Sequence, residues 1–332
     1  MNYNQYNYIK FENKYLKEIV TLWNNEVVSS SFYKSFDEEE FLEKVIYNKY
    51  FKDEGFILAI KDDELIAYGC AVVTNQDDKT PGYIAFIVVK KEFQRKGIGS
   101  FILRKLEDFL LSNNKTFIRQ MFLNPINLKW IIPNTNNHTH ANAPGVAYNT
   151  PWYFFLMNNG FNVKGPNQDV YHLDIDKYEH SQEIVTRLND LASKGYLITD
   201  YDQNKHYGFN DLFKALNNQD WQNKVDENLA KKKPDPMIVV VKDNRIVGWT
   251  GPLLTTFDKR GSFAGIGIHP NENNLGLGRL LFSELVYRSK LNNATYMTLF
   301  TGSENVARYI YLKTGFKIVE TFAILVKDLS KK

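Results

Sequence analysis

The chain has 332 residues, 43% of them hydrophobic and 24% charged, with a formal net charge of +3. That length suggests two domains at ~100–200 residues each. The charge is too small to predict nucleic-acid binding, and the single Cys70 excludes both an intrachain disulfide and a multi-cysteine zinc site. The N-terminal stretch lacks a basic segment followed by an apolar one, and no run approaches ~20 apolar residues. The expectation is a cytoplasmic protein with no membrane partner. Abundant Phe, Tyr, Asn and Lys fit the coding bias of an AT-rich genome, which favours a low-GC bacterial source.

In chain order, Tyr8 to Phe11 reads as a strand. Lys14 to Glu26 reads as a helix with Leu16, Ile19, Val20 and Trp23 on one face. A second helix starts near Asp37, where "DEEEF" places acids on the first turn, favoured by the helix dipole. The stretch "GFILAIKDDELIAYGCAVVT" is a hairpin turning at Asp62-Asp63-Glu64. Tyr83 to Val89 is an apolar strand, Ile98 to Ser112 an amphipathic helix and Thr116 to Phe122 a strand. Residues 123–150, rich in Asn, Pro and His, look like a long loop. A short helix closed by Gly160 follows, then a strand, Val170 to Ile175.

The second half repeats this order. Glu183 to Lys194 is helical and Tyr196 to Tyr201 extended. Gly208 to Leu216 and Trp221 to Lys231 are helical. "MIVVVKDNRIVGWTGPLL" is a hairpin turning at Asp243-Asn244. Ser262 to Ile268, Thr295 to Phe300 and Ala323 to Lys327 are strands, and Leu277 to Leu291 is a helix. "SENVARYIYLKTGF" is a helix closed by Gly315. This is an internal repeat at domain scale, with its boundary expected between Asp174 and Ser181.

Both halves carry a strand, a Gly-x-Gly and then a helix: "QRKGIG" at Gln94 to Gly99 and "NNLGLG" at Asn273 to Gly278. A helix N-terminus presents unpaired N–H groups and a positive dipole end, and glycine lets a phosphate approach the backbone. Neither copy is a Walker loop, because no Gly-Lys-Ser/Thr follows. Neither is a dinucleotide fingerprint, because the third glycine is missing.

Gln94-Arg95-Lys96-Gly97-Ile98-Gly99 resembles the acyl-CoA pyrophosphate loop, Gln/Arg-x-x-Gly-x-Gly/Ala, of the GNAT N-acetyltransferase superfamily. The second copy keeps Gly276 and Gly278 but has Asn273 where the family has Gln or Arg. "ENVARYIYLKTGF" is similar to the family's closing motif, with Ala307, Tyr311, Gly315 and Phe316 in step and Asn305 displaced by one, Glu304 filling its usual place. In the first half the position of Tyr311 is taken by Leu156.

The resemblance implies an α+β chain of two tandem GNAT-like domains, each a mixed, mostly antiparallel twisted sheet flanked by helices. The domains would be residues 1–175, with the 123–150 loop, and 176–332. It implies transfer of an acetyl group from acetyl-CoA to a primary amine of a small molecule or peptide by direct attack. In the first half CoA would lie against Ile87, Val88, Val89, Gln94, Arg95, Lys96, Gly97, Ile98, Gly99 and Ser100. In the second it would lie against Ile266, Ile268, Asn273, Asn274, Leu275, Gly276, Leu277, Gly278 and Asn305. Tyr311 would protonate the leaving thiolate, since a tyrosine pKa of ~10 lies near a thiol's ~8.5. No general base is identifiable: Glu304 is the tempting catalytic acidic residue, and equally a helix-start residue favoured by the dipole. No metal is expected. His138 and His140 lack a Cys or acidic ligand nearby in sequence and read as a polar loop. Two other readings stand beside this one. The first is a non-catalytic acyl-CoA-binding protein, which Leu156 and Asn273 suggest. The second is a Fem-like aminoacyl transferase, a group without clear pyrophosphate loops.

Overall fold

The structure is a computed structural model, and it describes residues 6–28, 32–272 and 275–330. The chain divides into two compact units that are not contiguous halves. The first holds residues up to Val170, Gly302–Glu304 and Val319 onward. The second holds Tyr171–Thr301 and Asn305–Ile318.

In the first unit, strands Asn7–Lys10, Phe56–Lys61, Glu64–Val72 and Tyr83–Val89 form an antiparallel sheet in that order. The hairpin turns at Asp62 and Asp63, both left-handed (φ 49° and 63°). Short polar side chains tolerate that conformation, and its twist matches the flanking strands. Helix Leu16–Trp23 covers one face of the sheet and helix Ile98–Ser112 the other. With both faces covered, only Glu64 of the strand Glu64–Val72 is exposed. The expected acidic helix start is a capping box, in which Asp37 accepts from the Glu40 N–H and Glu40 accepts from the Asp37 N–H. Cys70 is fully buried, and burial pushes its thiol pKa well up, as an inert thiol requires.

Lys115 is 1% exposed. Its ammonium donates to Asn75 Oδ1 (2.8 Å), the Asp77 carbonyl (2.6 Å) and Thr80 Oγ1 (2.8 Å), closing the turn that leads into Tyr83–Val89. Desolvation lowers its pKa, only partly offset by Asp77 and Asp78. Replacing it with Met strips three oxygens of their donor. Lys115→Met should therefore cost about 2–4 kcal/mol, read as a lower urea midpoint at unchanged m.

Two expectations are corrected. Residues 123–150 are not an open loop: Trp130–Ile131 pairs with Thr139–His140, and Val146–Ala147 pairs with Phe322 and Ala323. Trp130 is fully buried, and its indole N–H donates to the Asn142 carbonyl at 3.1 Å. Burying that ring repays ordering a polar stretch. His140 is buried too, its Nδ1 2.9 Å from the same carbonyl.

The second correction concerns the closing strands. Leu325–Asp328, expected to end the second half, pairs antiparallel with Phe117–Gln120 in the first unit. Tyr171 to Asp174, expected to end the first half, lies in the second unit beside the strand Tyr296–Gly302. A division at 175 and 176 follows neither strand. Alternating apolar residues define a strand but not the edge it joins, because backbone pairing is the same at every edge.

In the second unit, Tyr196–Asp200, Ile238–Lys242, Arg245–Gly251 and Gly265–Ile268 form the corresponding antiparallel sheet. Its hairpin also turns on two left-handed residues, Asp243 and Asn244. Helices Phe209–Leu216 and Gln219–Leu229 pack on one face and Leu277–Leu291 on the other. An added helix, Gln182–Ser193, starts at the Ser181 cap. Each unit thus has the expected α+β build.

Candidate cofactor and active site

The site begins at a gap between two parallel strands. In the first unit Gly82 bridges Ile118 in parallel: its N–H donates to the Phe117 carbonyl and its carbonyl accepts from the Arg119 N–H (3.0 and 3.1 Å). Beyond that point the strands part, and Tyr83–Val89 becomes the edge of its sheet. The second unit repeats the divergence. Arg260 and Gly261 pair in parallel with Tyr296 and Met297, and then Gly265–Ile268 turns away as an edge strand. An edge strand offers free N–H and C=O groups, to which an extended amide chain can add.

Each edge strand leads to a glycine-capped helix. Gly97 (φ 76°) precedes Ile98–Ser112 and Gly276 (φ 73°) precedes Leu277–Leu291. Neither helix has a side-chain N-cap, whereas Asp37, Thr150, Ser181 and Asn218 cap others. Among the described residues no N-cap side chain takes the first-turn N–H groups at either loop, and such groups can bind an anion.

In the first loop, the Gln94 side-chain amide donates to the Val89 carbonyl at 2.9 Å and ties the loop to the strand end. Arg95 and Lys96 are exposed, and the Lys96 ammonium stands over the Phe93 ring at 5.2 Å. Ile87 and Val89 face the helix, and Phe86 and Val88 face the opposite core. A Cβ on Gly99 would lie 3.2 Å from the Phe155 ring and 3.5 Å from Val89, so that face stays slim. Ser100 sits in the helix's first turn.

In the second loop, Leu275, Gly276, Leu277 and Gly278 follow the same path, while Asn273 and Asn274 lie outside the described residues. Ile266 and Ile268 face the helix Leu277–Leu291. A Cβ on Gly276 would lie 2.8 Å from Nη2 of Arg187, which reaches in from the added helix. Arg187 is 3.7 Å from Glu183, whose carboxylate is held by the Arg279 guanidinium at 2.5 and 2.8 Å. No local sequence signal links Arg187 to a glycine so much later in the chain.

Tyr311 is 9% exposed on the short helix Arg308–Lys313. Its ring meets Phe282 at 5.0 Å and Tyr171 at 5.3 Å. Burial raises its pKa above the ordinary tyrosine value, and Tyr171 adds to the rise. Asn305 Oδ1 accepts from the Ala307 N–H at 2.9 Å and organises the start of that helix. Glu304 is exposed and belongs to the first unit, whereas Tyr311 belongs to the second. In the first unit Leu156 is fully buried where a tyrosine would stand.

Diverging parallel strands followed by an uncapped glycine turn thus occur twice in the chain, once in each unit. The sequence profile of the Acetyltransferase (GNAT) family matches residues 23–128 and again 194–316, well over half of the chain, and the chain belongs to that family. No curated protein matches the sequence. Among solved structures, the chain is similar to the GCN5-related glucosamine N-acetyltransferase region of a fungal multi-domain GH3 β-N-acetylglucosaminidase. The TM-score is 0.69 at 13% identity, over 97% of this chain and 38% of that one. It is also similar to a GCN5-related N-acetyltransferase from Sphaerobacter thermophilus, at TM-score 0.60 and 12% identity, over 98% and 96% of the two chains. A tandem GNAT protein from the clavulanic acid biosynthesis pathway gives TM-score 0.58 at 11% identity, over 98% of each chain. At such identities the likeness establishes the fold. Among the described residues no helix is long and apolar enough to cross a membrane.

Proposed function

We propose that the protein is an acetyl-CoA-dependent N-acetyltransferase acting on a primary amine, with a CoA cradle in each unit and transfer in the second. The observation that carries this is the repeated edge strand running into an uncapped glycine turn. The first cradle comprises Ile87 to Val89 and Gln94 to Ser100. The second comprises Ile266, Ile268, Asn273 to Gly278 and Asn305. Arg187 adds positive charge at Gly276, where the motif itself lacks Gln or Arg.

In the second unit the amine nitrogen attacks the thioester carbonyl, and a backbone N–H on the free edge of Gly265–Ile268 stabilises the developing oxyanion. The tetrahedral species collapses, the carbon–sulfur bond breaks, and the thiolate takes its proton from the Tyr311 hydroxyl. The amine's proton goes to solvent, solvent returns a proton to the Tyr311 phenolate, and Glu304 has no assigned part. The first unit, with Leu156 in place of a tyrosine, binds acetyl-CoA without transferring it.

Calorimetry with acetyl-CoA tests this. A glutamate at either left-handed glycine strains the turn and sets a carboxylate against the phosphate N–H groups. The intact protein should show two binding events, and Gly97→Glu and Gly276→Glu should each lose one. If neither substitution alters binding while both variants stay folded by circular dichroism, the cradles are misassigned.

A further inference from the structure

We propose that Trp221 determines acceptor specificity in the second unit, selecting primary amines that carry a flat apolar group. This rests on the reading that the second unit transfers acetyl.

The argument starts from two glycines in the edge strand. Side chains alternate along a strand, so Ile266 and Ile268 point to one face and Gly265 and Gly267 to the other. The Ile face is closed by the helix Leu277–Leu291; a Cβ on its Gly278 would be 3.8 Å from Ile268. The glycine face carries the indole of Trp221. A Cβ on Gly265 would lie 2.5 Å from both Nε1 and Cε2 of Trp221, and one on Gly267 would lie 3.0 Å from Cζ3. The ring therefore lies along the strand backbone, beside the edge that a thioester would join. Any side chain at 265 or 267 would lift it off.

The first unit has no such plate. Val89 and Ile268 correspond, since each packs against the second glycine of its loop (3.5 and 3.8 Å from the ideal Cβ). Counting back, Val88 and Phe86 correspond to Gly267 and Gly265. Both are buried, and Phe86 stacks edge-on to Trp23 at 5.5 Å within a closed aromatic core. The same surface is sealed by the strand's own side chains in the first unit and formed by a half-buried tryptophan in the second.

The plate is held in place. The Trp221 backbone N–H is capped by Asn218 Oδ1 at 3.1 Å, at the start of Gln219–Leu229. Trp249, fully buried, backs the ring at 5.9 Å, and Leu216 extends the apolar surface over Gly267. One face of the edge strand is closed by the helix Leu277–Leu291; the other carries the helices Phe209–Leu216 and Gln219–Leu229, whose half-buried Trp221 lies against the strand itself, so an amine reaching the thioester from that side passes the indole. Its neighbours there are apolar, so a flat apolar substituent gains burial and ring stacking that a small alkyl group does not.

The test compares phenethylamine with ethylamine as acceptors, following release of the CoA thiol. The intact protein should favour phenethylamine in kcat/KM by about tenfold or more, the discrimination an apolar pocket supplies. Trp221→Leu, which keeps apolar bulk but removes the plate, should bring that ratio close to one with the KM for acetyl-CoA unchanged. Trp221→Phe should restore most of the preference. The proposal is overturned if the intact protein does not discriminate or accepts neither amine. It is equally overturned if Trp221→Leu lowers both rates alike or shifts the KM for acetyl-CoA, as a structural role would. Acetyl-CoA calorimetry on Gly97→Glu, which leaves only the second cradle, read together with thiol release, separates the two failures. Binding and turnover without selection sink only the role of Trp221, whereas loss of binding at the second cradle or of all turnover sinks the transferase reading beneath it.

Discussion

Removing the terminal segment from Val319 onward will unfold the first unit. That segment supplies Phe322, Ala323, Leu325 and Leu329 to the first unit, all 1% exposed or less. Each larger apolar side chain is worth about 1.5–3 kcal/mol when buried. Three of them approach the whole stability of a domain, about 5–15 kcal/mol. The cut also exposes the edge of Phe117–Gln120, which pairs with Leu325–Asp328 over four residue pairs. The sharper form of the prediction is one residue. Lys327 is ion-paired to Glu107, which is 0% exposed on the helix Ile98–Ser112, and its ammonium also lies 5.8 Å from the Phe161 ring. Lys327→Met leaves a buried carboxylate without that cation, at a cost of about 3–5 kcal/mol. Pairing it with Glu107→Gln removes the charge as well and should recover most of the loss. Urea unfolding followed by tryptophan fluorescence checks both. A truncated chain whose first unit keeps its midpoint would refute the strand assignment.

Much of this fold is legible from local chemistry. Asp62-Asp63 and Asp243-Asn244 mark their hairpins because short polar residues tolerate the left-handed turn. Asp37 and Glu40 mark a helix start because their side chains bond backbone N–H groups a few residues away. The glycine loops are legible for the same reason: the requirement sits in the glycine itself. What sequence does not carry is partnership at a distance. Nothing local to the helix Ile98–Ser112 shows that Glu107 is buried and ion-paired, because its partner Lys327 lies 220 positions later. Residues 123–150 read as a loop because they are rich in Asn, Pro and His, yet Trp130 anchors the segment against Phe322 at 5.2 Å. Arg187 and Trp221 were missed likewise. The second had a signal, since glycines two apart in an apolar strand mark a face kept bare for another group's approach.

Tyr311→Phe should have the largest kinetic effect of any single change. Phenylalanine keeps the ring contacts with Phe282 and Tyr171, so the fold should hold and the KM for acetyl-CoA should stay put. What is lost is one proton donor, and general acid catalysis is worth roughly 10²–10⁴-fold in kcat. The direction of the Tyr311 pKa sharpens the test. Burial, reinforced by Tyr171, raises it above the ordinary tyrosine value. The neutral, donating form therefore persists through neutral and mildly alkaline pH, and kcat should not fall until pH passes the usual tyrosine range. A raised pKa also makes the hydroxyl a weaker acid than a CoA thiol, so it can act only as the carbon–sulfur bond breaks and the sulfur becomes basic. In Tyr311→Phe the proton must come from solvent or buffer. Its kcat should decline steadily as pH rises and recover with added buffer acid, which the intact protein should ignore. A loss under threefold with an unchanged pH profile would return Tyr311 to the hydrophobic core and require another donor at the sulfur.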